Sequence, residues 1–253
     1  MSEQNSRFES LTVVVPVLNE VGEIGAWLRH VSRMLPGATV VIADGGSTDG
    51  TAEAVTSILE NPRKRTIDSA VESLTVVLAK APRGRGSQLR QGARMALEEG
   101  APTHLLFLHV DTGLTEDSVA VLRAALGDPG FRWGWFDLHM DGPSSSERII
   151  ARGISWRGRL TGRPTGDQGL LITRQQYEAV GGYEPIPLFE DLDIVARLKK
   201  AERGTPLGAH IVTSGRRYRR YGHWTTVFRL WGMRVRYWLG ASPEALYRRY
   251  GEV

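Results

Sequence analysis

What most constrains the fold of this 253-residue chain is the alternation, through its first half, of short β-branched runs with amphipathic helical segments. Leu11–Val17 reads as a strand, and the segment after it puts Ile24, Trp27, Leu28, Val31 and Leu35 on one helical face. Residues 39–43, 74–78 and 105–109 read as further strands, with helices over 51–59 and 86–98 between them. Strands that alternate with helices are joined by right-handed crossovers, so the chain is predicted to be α/β with a mainly parallel central sheet. Such sheets bind ligands beyond the carboxyl ends of their strands. The residues found there are Asn19 and Glu20, Asp44, the basic stretch 80–85, and Asp111. After Asp111 the pattern loosens into a helix over 115–126, a strand over 131–138 and a polar loop over 142–146, an α+β second half. No repeat or linker divides the chain. The predicted organisation is one domain over 1–223 and a C-terminal appendage of basic amphipathic helices over 224–253.

Composition removes several function classes. There is no cysteine, so a thiol nucleophile and thiolate metal sites are excluded and any metal must rest on carboxylate, histidine or water. No apolar run approaches the ~20 residues that span a bilayer. Residues 1–10 are polar, carry Glu3 and Glu9 and lack the pattern of a secretory signal, so the expected location is cytoplasmic. Nine arginines and one glutamate between 216 and 250 give that end a net +8, against +4 for the whole chain. A basic end on a mildly acidic body points to phosphates or an anionic surface, with peripheral attachment at the inner membrane face as one outcome. There Trp224, Phe228, Trp231, Val235 and Trp238 share a stripe. Packing on the body or in a homodimer is the expectation for it, and an anionic membrane the alternative.

Four segments carry chemistry. The string ADGGSTDGT over residues 43–51 ends a strand in an acidic, glycine-rich turn that opens a helix. Gly46 and its neighbour allow close backbone approach there, Asp44 offers an acceptor to a base N–H, and Ser47 stands beside it. A capped helix start gives the same local pattern. Residues 80–90 form a basic entry to a helix, with Arg85 and Gln88 suited to phosphate or sugar, although the third glycine of a dinucleotide fingerprint is missing. Gly166, Asp167, Gln168 and Gly169 place polar groups in a turn before the strand 170–173, a candidate lining for an acceptor pocket. Glu190 and Asp191 open a helix, where acids also serve the helix dipole. Trp133 and Trp135 could stack on a sugar, but core packing is the expectation.

PVLNE over residues 16–20, the Asp44 turn, RGRGSQLRQGA over 83–93, LLFLHVD over 105–111, GGY over 181–183 and the Glu190 and Asp191 pair together resemble glycosyltransferase family 2 along nearly the whole chain. The motifs look closest to the bacterial branch associated by genome neighbourhood with arsenosugar synthesis and radical-SAM selenodomain proteins. The resemblance implies a GT-A fold, a Rossmann-like sandwich of nucleotide-diphospho-sugar transferases, and an inverting transfer from a nucleotide sugar, UDP first and GDP as the alternative. It places Pro16, Asn19, Glu20, Asp44, Gly46, Ser47, Arg85, Gln88 and His109 around the donor. Arg216 and Arg217 follow as charges for the departing diphosphate. Asp191 would be the base, with Glu190 bonding the acceptor or orienting the loop, and Asp167 and Gln168 would line the acceptor side. Family members hold Mn²⁺ or Mg²⁺ through an Asp-any-Asp motif, which here reads His109, Val110, Asp111, leaving Asp111 as the ligand. A direct His109 ligand would favour Mn²⁺, and a His109 bond to ribose or to a metal-bound water is the other reading. The family's late metal-binding histidine falls at Ser214, with His210 and His223 nearby.

The acceptor, small molecule or lipid-linked, has no local signature. Two other classes compete. A sugar nucleotidyltransferase would need a basic, glycine-rich loop directly after the first strand, where this chain has PVLNE. A non-catalytic binder of nucleic acid or membrane would use the arginine-rich end but leave Asp44, Asp111 and Asp191 without a role, which makes nucleic acid the weaker partner.

Overall fold

The computed structural model describes residues 8–60, 74–142 and 144–250, so residues 1–7 of the polar N-terminal stretch lie outside the described residues. The strands are β1 (Leu11–Val17), β2 (Thr39–Asp44), β3 (Thr75–Lys80), β4 (His104–Phe107), β5 (Thr112–Gly113), β6 (Trp133–Met140), β7 (Leu170–Thr173) and β8 (Thr205–Thr213). Helices α1 (Val21–Met34), α2 (Thr51–Glu60), α3 (Arg85–Glu99) and α4 (Glu116–Leu126) belong to the first half. α5 (Ser145–Thr161), α6 (Arg174–Ala179), α7 (Glu190–Ala201), α8 (Arg216–Tyr221), α9 (His223–Trp238) and α10 (Pro243–Tyr250) follow. One sheet runs β3-β2-β1-β4-β7-β6-β8-β5. Its first four strands are parallel, with Val17 beside Asp44 and Asp44 beside Lys80, so the acidic and basic strand ends meet at one edge. β7 enters antiparallel to both β4 and β6, which makes the whole sheet mixed.

β1 is buried on both faces, as a central parallel strand must be. Val13 and Val15 point into one layer with Ile24, Leu28 and Val31 of α1, while Val14 points into the other with Leu89 and Ala93 of α3. All five residues of the expected α1 face are buried. Gly92 lets α3 cross close to the sheet: a Cβ there would lie 2.7 Å from Val14 Cγ1 and 3.2 Å from Ala43 Cβ. Trp133 and Trp135 are fully inside, which bears out core packing and leaves no sugar platform there.

Two expectations need correction. Beyond the polar loop lies α5, whose start carries the capping box of Ser144 and Glu147. The loop-like composition of the segment hid a helix that buries Ile150, Ala151 and Ser155. The α9 stripe expected to pack on the body or in a homodimer is not covered by the body, with Trp224 51%, Phe228 69%, Trp231 61% and Trp238 56% exposed in the single chain. The helix docks by Met233, which clusters with Leu188, Phe189 and Leu192 at the start of α7 and with Leu246 of α10. Among the described residues no helix is long and apolar enough to cross a membrane.

Candidate active site

The two turns beyond β1 and β2 are clasped together by their side chains. Asn19, in the left-handed region at φ 57°, donates its N–H to Ser47 Oγ at 2.9 Å and accepts from Thr48 N at 2.8 Å. An asparagine tolerates that conformation better than most residues. Glu20 N bonds Thr51 Oγ1 at 2.9 Å and Val21 N bonds Asp49 Oδ2 at 3.1 Å. Asp44 accepts from Gly46 N and Ser47 N at 3.2 and 3.1 Å, and from the Ser47 hydroxyl. Its carboxylate thus shapes the turn first, and its remaining lone pairs are what a base could use.

Next to this clasp opens a cavity of about 600 Å³. Glu20, Arg85, His109, Asp111, Asp167, Asp191, Arg216 and Arg217 all line it, although the sequence separates them by up to 197 positions. Pro16, Asn19, Asp44, Gly46 and Ser47 are not in its wall: Pro16 lies within β1, and the other four belong to the neighbouring clasped turns. Burial and the Arg85 charge draw the His109 pKa down, against the pull of Asp111, Asp167 and Asp191, so its imidazole is neutral near pH 7. Burial raises the Glu20 pKa; Arg216 opposes that shift and Asp111 adds to it.

Two expected ligand-binding side chains are turned away, and the reason is backbone satisfaction. Gln88 is buried and donates through Nε2 to Val17 O at 2.6 Å and Ala43 O at 3.0 Å, pinning the ends of β1 and β2. Gln168 is fully buried, accepting from Thr165 N at 3.2 Å and donating to Phe136 O at 3.1 Å. Each cancels backbone groups that would otherwise be buried unpaired, so each supports its loop from behind. Asp167 does face the cavity, and its Oδ1 is buried with no hydrogen-bond partner among the described residues.

The acidic pair divides its work in space. Phe189, immediately before α7, sits in the left-handed region at φ 66°, a strain of about 1–3 kcal/mol for such a residue. That turn sends Glu190 inward, 1% exposed, where it pairs with Arg85, and leaves Asp191 on the cavity wall. Burial raises the Glu190 pKa and Arg85 opposes it; burial lowers that of Arg85, but the charges of Glu190, Asp191 and Asp167 and the Glu190 hydrogen bond leave it raised on balance. The orienting role expected for Glu190 fits this contact better than a bond to the acceptor. Asp191 is fixed by Gly166 N on Oδ2 and Leu192 N on Oδ1, each at 2.8 Å. A Cβ on Gly166 would stand 3.3 Å from His109 Nε2 and 3.6 Å from Asp191 Oδ2, so the ends of β4 and α7 converge on that glycine.

For a divalent ion the donor set is thin but hard. Asp111 and Glu20 supply carboxylates to the same cavity, and Ser214 stands there too, because β5 and β8 pair Thr112 with Thr213. His210 and His223 are not in the cavity wall: the His210 ring lies tilted against His139 with centroids 5.6 Å apart, and His223 stands 3.8 Å from Glu147. Among the described residues no group of three or more His, Asp or Glu could hold a metal. These residues fit an ion such as Mg²⁺ or Mn²⁺ that takes one or two carboxylates and completes its shell with water and phosphate oxygens. Sequence reasoning missed Arg157 of α5 and Arg234 of α9, which also line the cavity; the capping box of α5 was the available signal for the first.

Residues 12–174 match the family model described as glycosyl transferase family 2. Succinoglycan biosynthesis protein ExoA of Rhizobium meliloti (strain 1021) is 30% identical over 211 residues, 79% of this chain and 61% of that protein. Among solved structures, the mannosyltransferase PcManGT of Pyrobaculum calidifontis, in complex with GDP-Man and Mn²⁺, superposes with a TM-score of 0.59 at 20% identity, over 89% of this chain and 60% of that one. S. aureus TarS 1–349 in complex with UDP-GlcNAc gives 0.54 at 14% identity, over 81% and 58%. The chain therefore spans about three fifths of the length of these relatives. The two structural likenesses bear out the GT-A-like fold.

Proposed function

This chain belongs to glycosyl transferase family 2, and on that footing we propose that it moves a sugar from a nucleotide diphosphate sugar to an acceptor hydroxyl with inversion at the anomeric carbon. The observation that carries the reading is the gathering of Asp111, Asp191 and three arginines around one cavity. Asp191 takes the proton of the acceptor hydroxyl as its oxygen bonds the anomeric carbon from the face opposite the leaving group. The bond from that carbon to the diphosphate breaks, and its electron pair leaves on the diphosphate oxygen. Arg85, Arg216 and Arg217 meet the charge that develops there. Mn²⁺ or Mg²⁺ held by Asp111 would add charge neutralisation at the same phosphates. Glu190 keeps Arg85 aligned, and Asp44 with the clasped turns receives the base, UDP first and GDP as the alternative. Supporting this are the donors named for PcManGT and TarS, GDP-Man and UDP-GlcNAc. Membership of the arsenosugar-associated branch and a cytoplasmic location are part of the proposal and rest on sequence alone.

A ligand at a hundred times its Kd adds about 2.7 kcal/mol of stability, which in a domain of this size raises the melting temperature by about 5 to 10 °C. A UDP sugar, or failing that a GDP sugar, is expected to give such a rise with Mn²⁺ and a smaller one without. If no nucleotide sugar moves the transition, the donor site is misassigned.

The outward aromatic face favours a second element of this reading, attachment of residues 224–253 to an anionic membrane. Ile149, Trp156 and Leu160 of α5 are also exposed, and α5 touches α9, so exposed apolar side chains stand on two neighbouring helices that also expose Arg152, Arg229 and Arg236. Aromatic rings flanked by arginines suit the interface of an anionic bilayer. The protein is expected to sediment with phosphatidylglycerol liposomes at low salt and to be released as salt rises. Protein that stays in the supernatant at low salt leaves α9 with its packing role on α7 alone.

A further inference from the structure

A guanidinium in a cavity wall is expected to have an anionic partner, since its desolvation must be offset. Two in this cavity make no ion pair among the described residues. Arg157 projects from α5 and Arg234 from α9, both half-buried and both lining the space. Among the described residues Arg157 hydrogen-bonds only the Thr165 hydroxyl, at 3.4 Å, and Arg234 has neither a hydrogen bond nor an ion pair. Burial and the Arg234 charge together draw the Arg157 pKa down, and both side chains line the one cavity.

These arginines are distinct from those facing the donor. Arg217 and Arg157 both feel Asp167, but Arg85 and Asp111 act on Arg217, whereas Arg234 and Asp191 act on Arg157. Thr165, the partner of Arg157, directly precedes Gly166, whose N–H holds Asp191. Arg157 therefore stands beside the loop whose backbone holds the base, and Arg234 lines the same cavity. Around it the wall is apolar, made by Ile150, Ile154, Leu188, Val227, Leu230 and Trp231.

We infer that Arg157 and Arg234 form a second anion subsite, and that the acceptor is an anionic amphiphile: a phosphate ester whose phosphate meets both arginines while its apolar chain lies along Ile154, Leu230 and Trp231. That this ligand is the acceptor rests on the glycosyltransferase reading, but its binding can be measured without turnover. A phosphate held by two arginines gains charge-assisted hydrogen bonds, each removal of which costs roughly 10- to 100-fold in affinity.

The probe is octyl phosphate, titrated calorimetrically into the full chain with and without UDP and Mn²⁺, beside inorganic phosphate and octanol. Octyl phosphate is expected to bind roughly tenfold or more tighter than either and to bind together with UDP. Arg234→Gln and Arg157→Gln, checked for unchanged melting, should each weaken it roughly tenfold while UDP affinity holds. Octyl phosphate that binds no better than inorganic phosphate, that competes with UDP, or that ignores both substitutions overturns the inference. A parallel arm offers dodecyl phosphate in phosphatidylcholine vesicles. Binding there as well as in solution assigns a membrane lipid phosphate, and binding in solution alone assigns a soluble ester; either upholds the subsite. If UDP fails to bind while the arginine-dependent binding of octyl phosphate persists, the donor reading fails and the subsite stands.

Discussion

Asp191→Asn is expected to lower sugar transfer by about 10² to 10⁴, the usual contribution of a positioned base, while nucleotide affinity stays nearly intact. The substitution preserves size and leaves an oxygen able to accept one of the two backbone bonds, from Gly166 N or Leu192 N, that orient the side chain. What it removes is the charge that takes the acceptor proton. Transfer to the true acceptor is the quantity to measure, because water can bypass a base placed for a larger hydroxyl and donor hydrolysis would understate the loss. Glu190→Gln is expected to cost less, since Glu190 acts through Arg85. Near wild-type transfer by Asp191→Asn would move the base elsewhere, with Asp167 next because it also faces the cavity with an oxygen unpaired among the described residues.

Removing Asp111 should show at the donor. Asp111→Ala is expected to weaken Mn²⁺-supported UDP binding by about 10² or more, since even outer-shell changes at metal sites cost about 10 to 100-fold. UDP binding without the ion should change little, because the clasped turns around Asp44 are untouched. The side chain lies on the cavity wall after β4, outside the core, so the variant should melt like the parent. The decisive comparison is calorimetric affinity with and without Mn²⁺: an equal Mn²⁺ increment in parent and variant would remove Asp111 from the ion and leave Glu20 as the remaining carboxylate.

The sequence alone determined the α/β alternation, the limits of β1, the buried face of α1 and the positions of the acids at strand and helix ends. These are local properties: side-chain period distinguishes strand from helix, and turn residues mark where each stops. The family, too, was legible there, because its motifs sit at those same turns. Tertiary structure decided which way a polar side chain at the site points. Gln88 and Gln168 have the chemistry of ligand-binding groups, yet each turns inward because backbone carbonyls and an amide left by converging strands and loops had to be satisfied. It also decided which face of α9 is covered. That helix carries Met233 on one side and the tryptophan stripe on another, and periodicity reports both without saying which will find a partner. Only the hydrophobic cluster at the start of α7 made the choice, and by burying Met233 it left the tryptophans exposed and set Arg234 in the same cavity wall as Arg157.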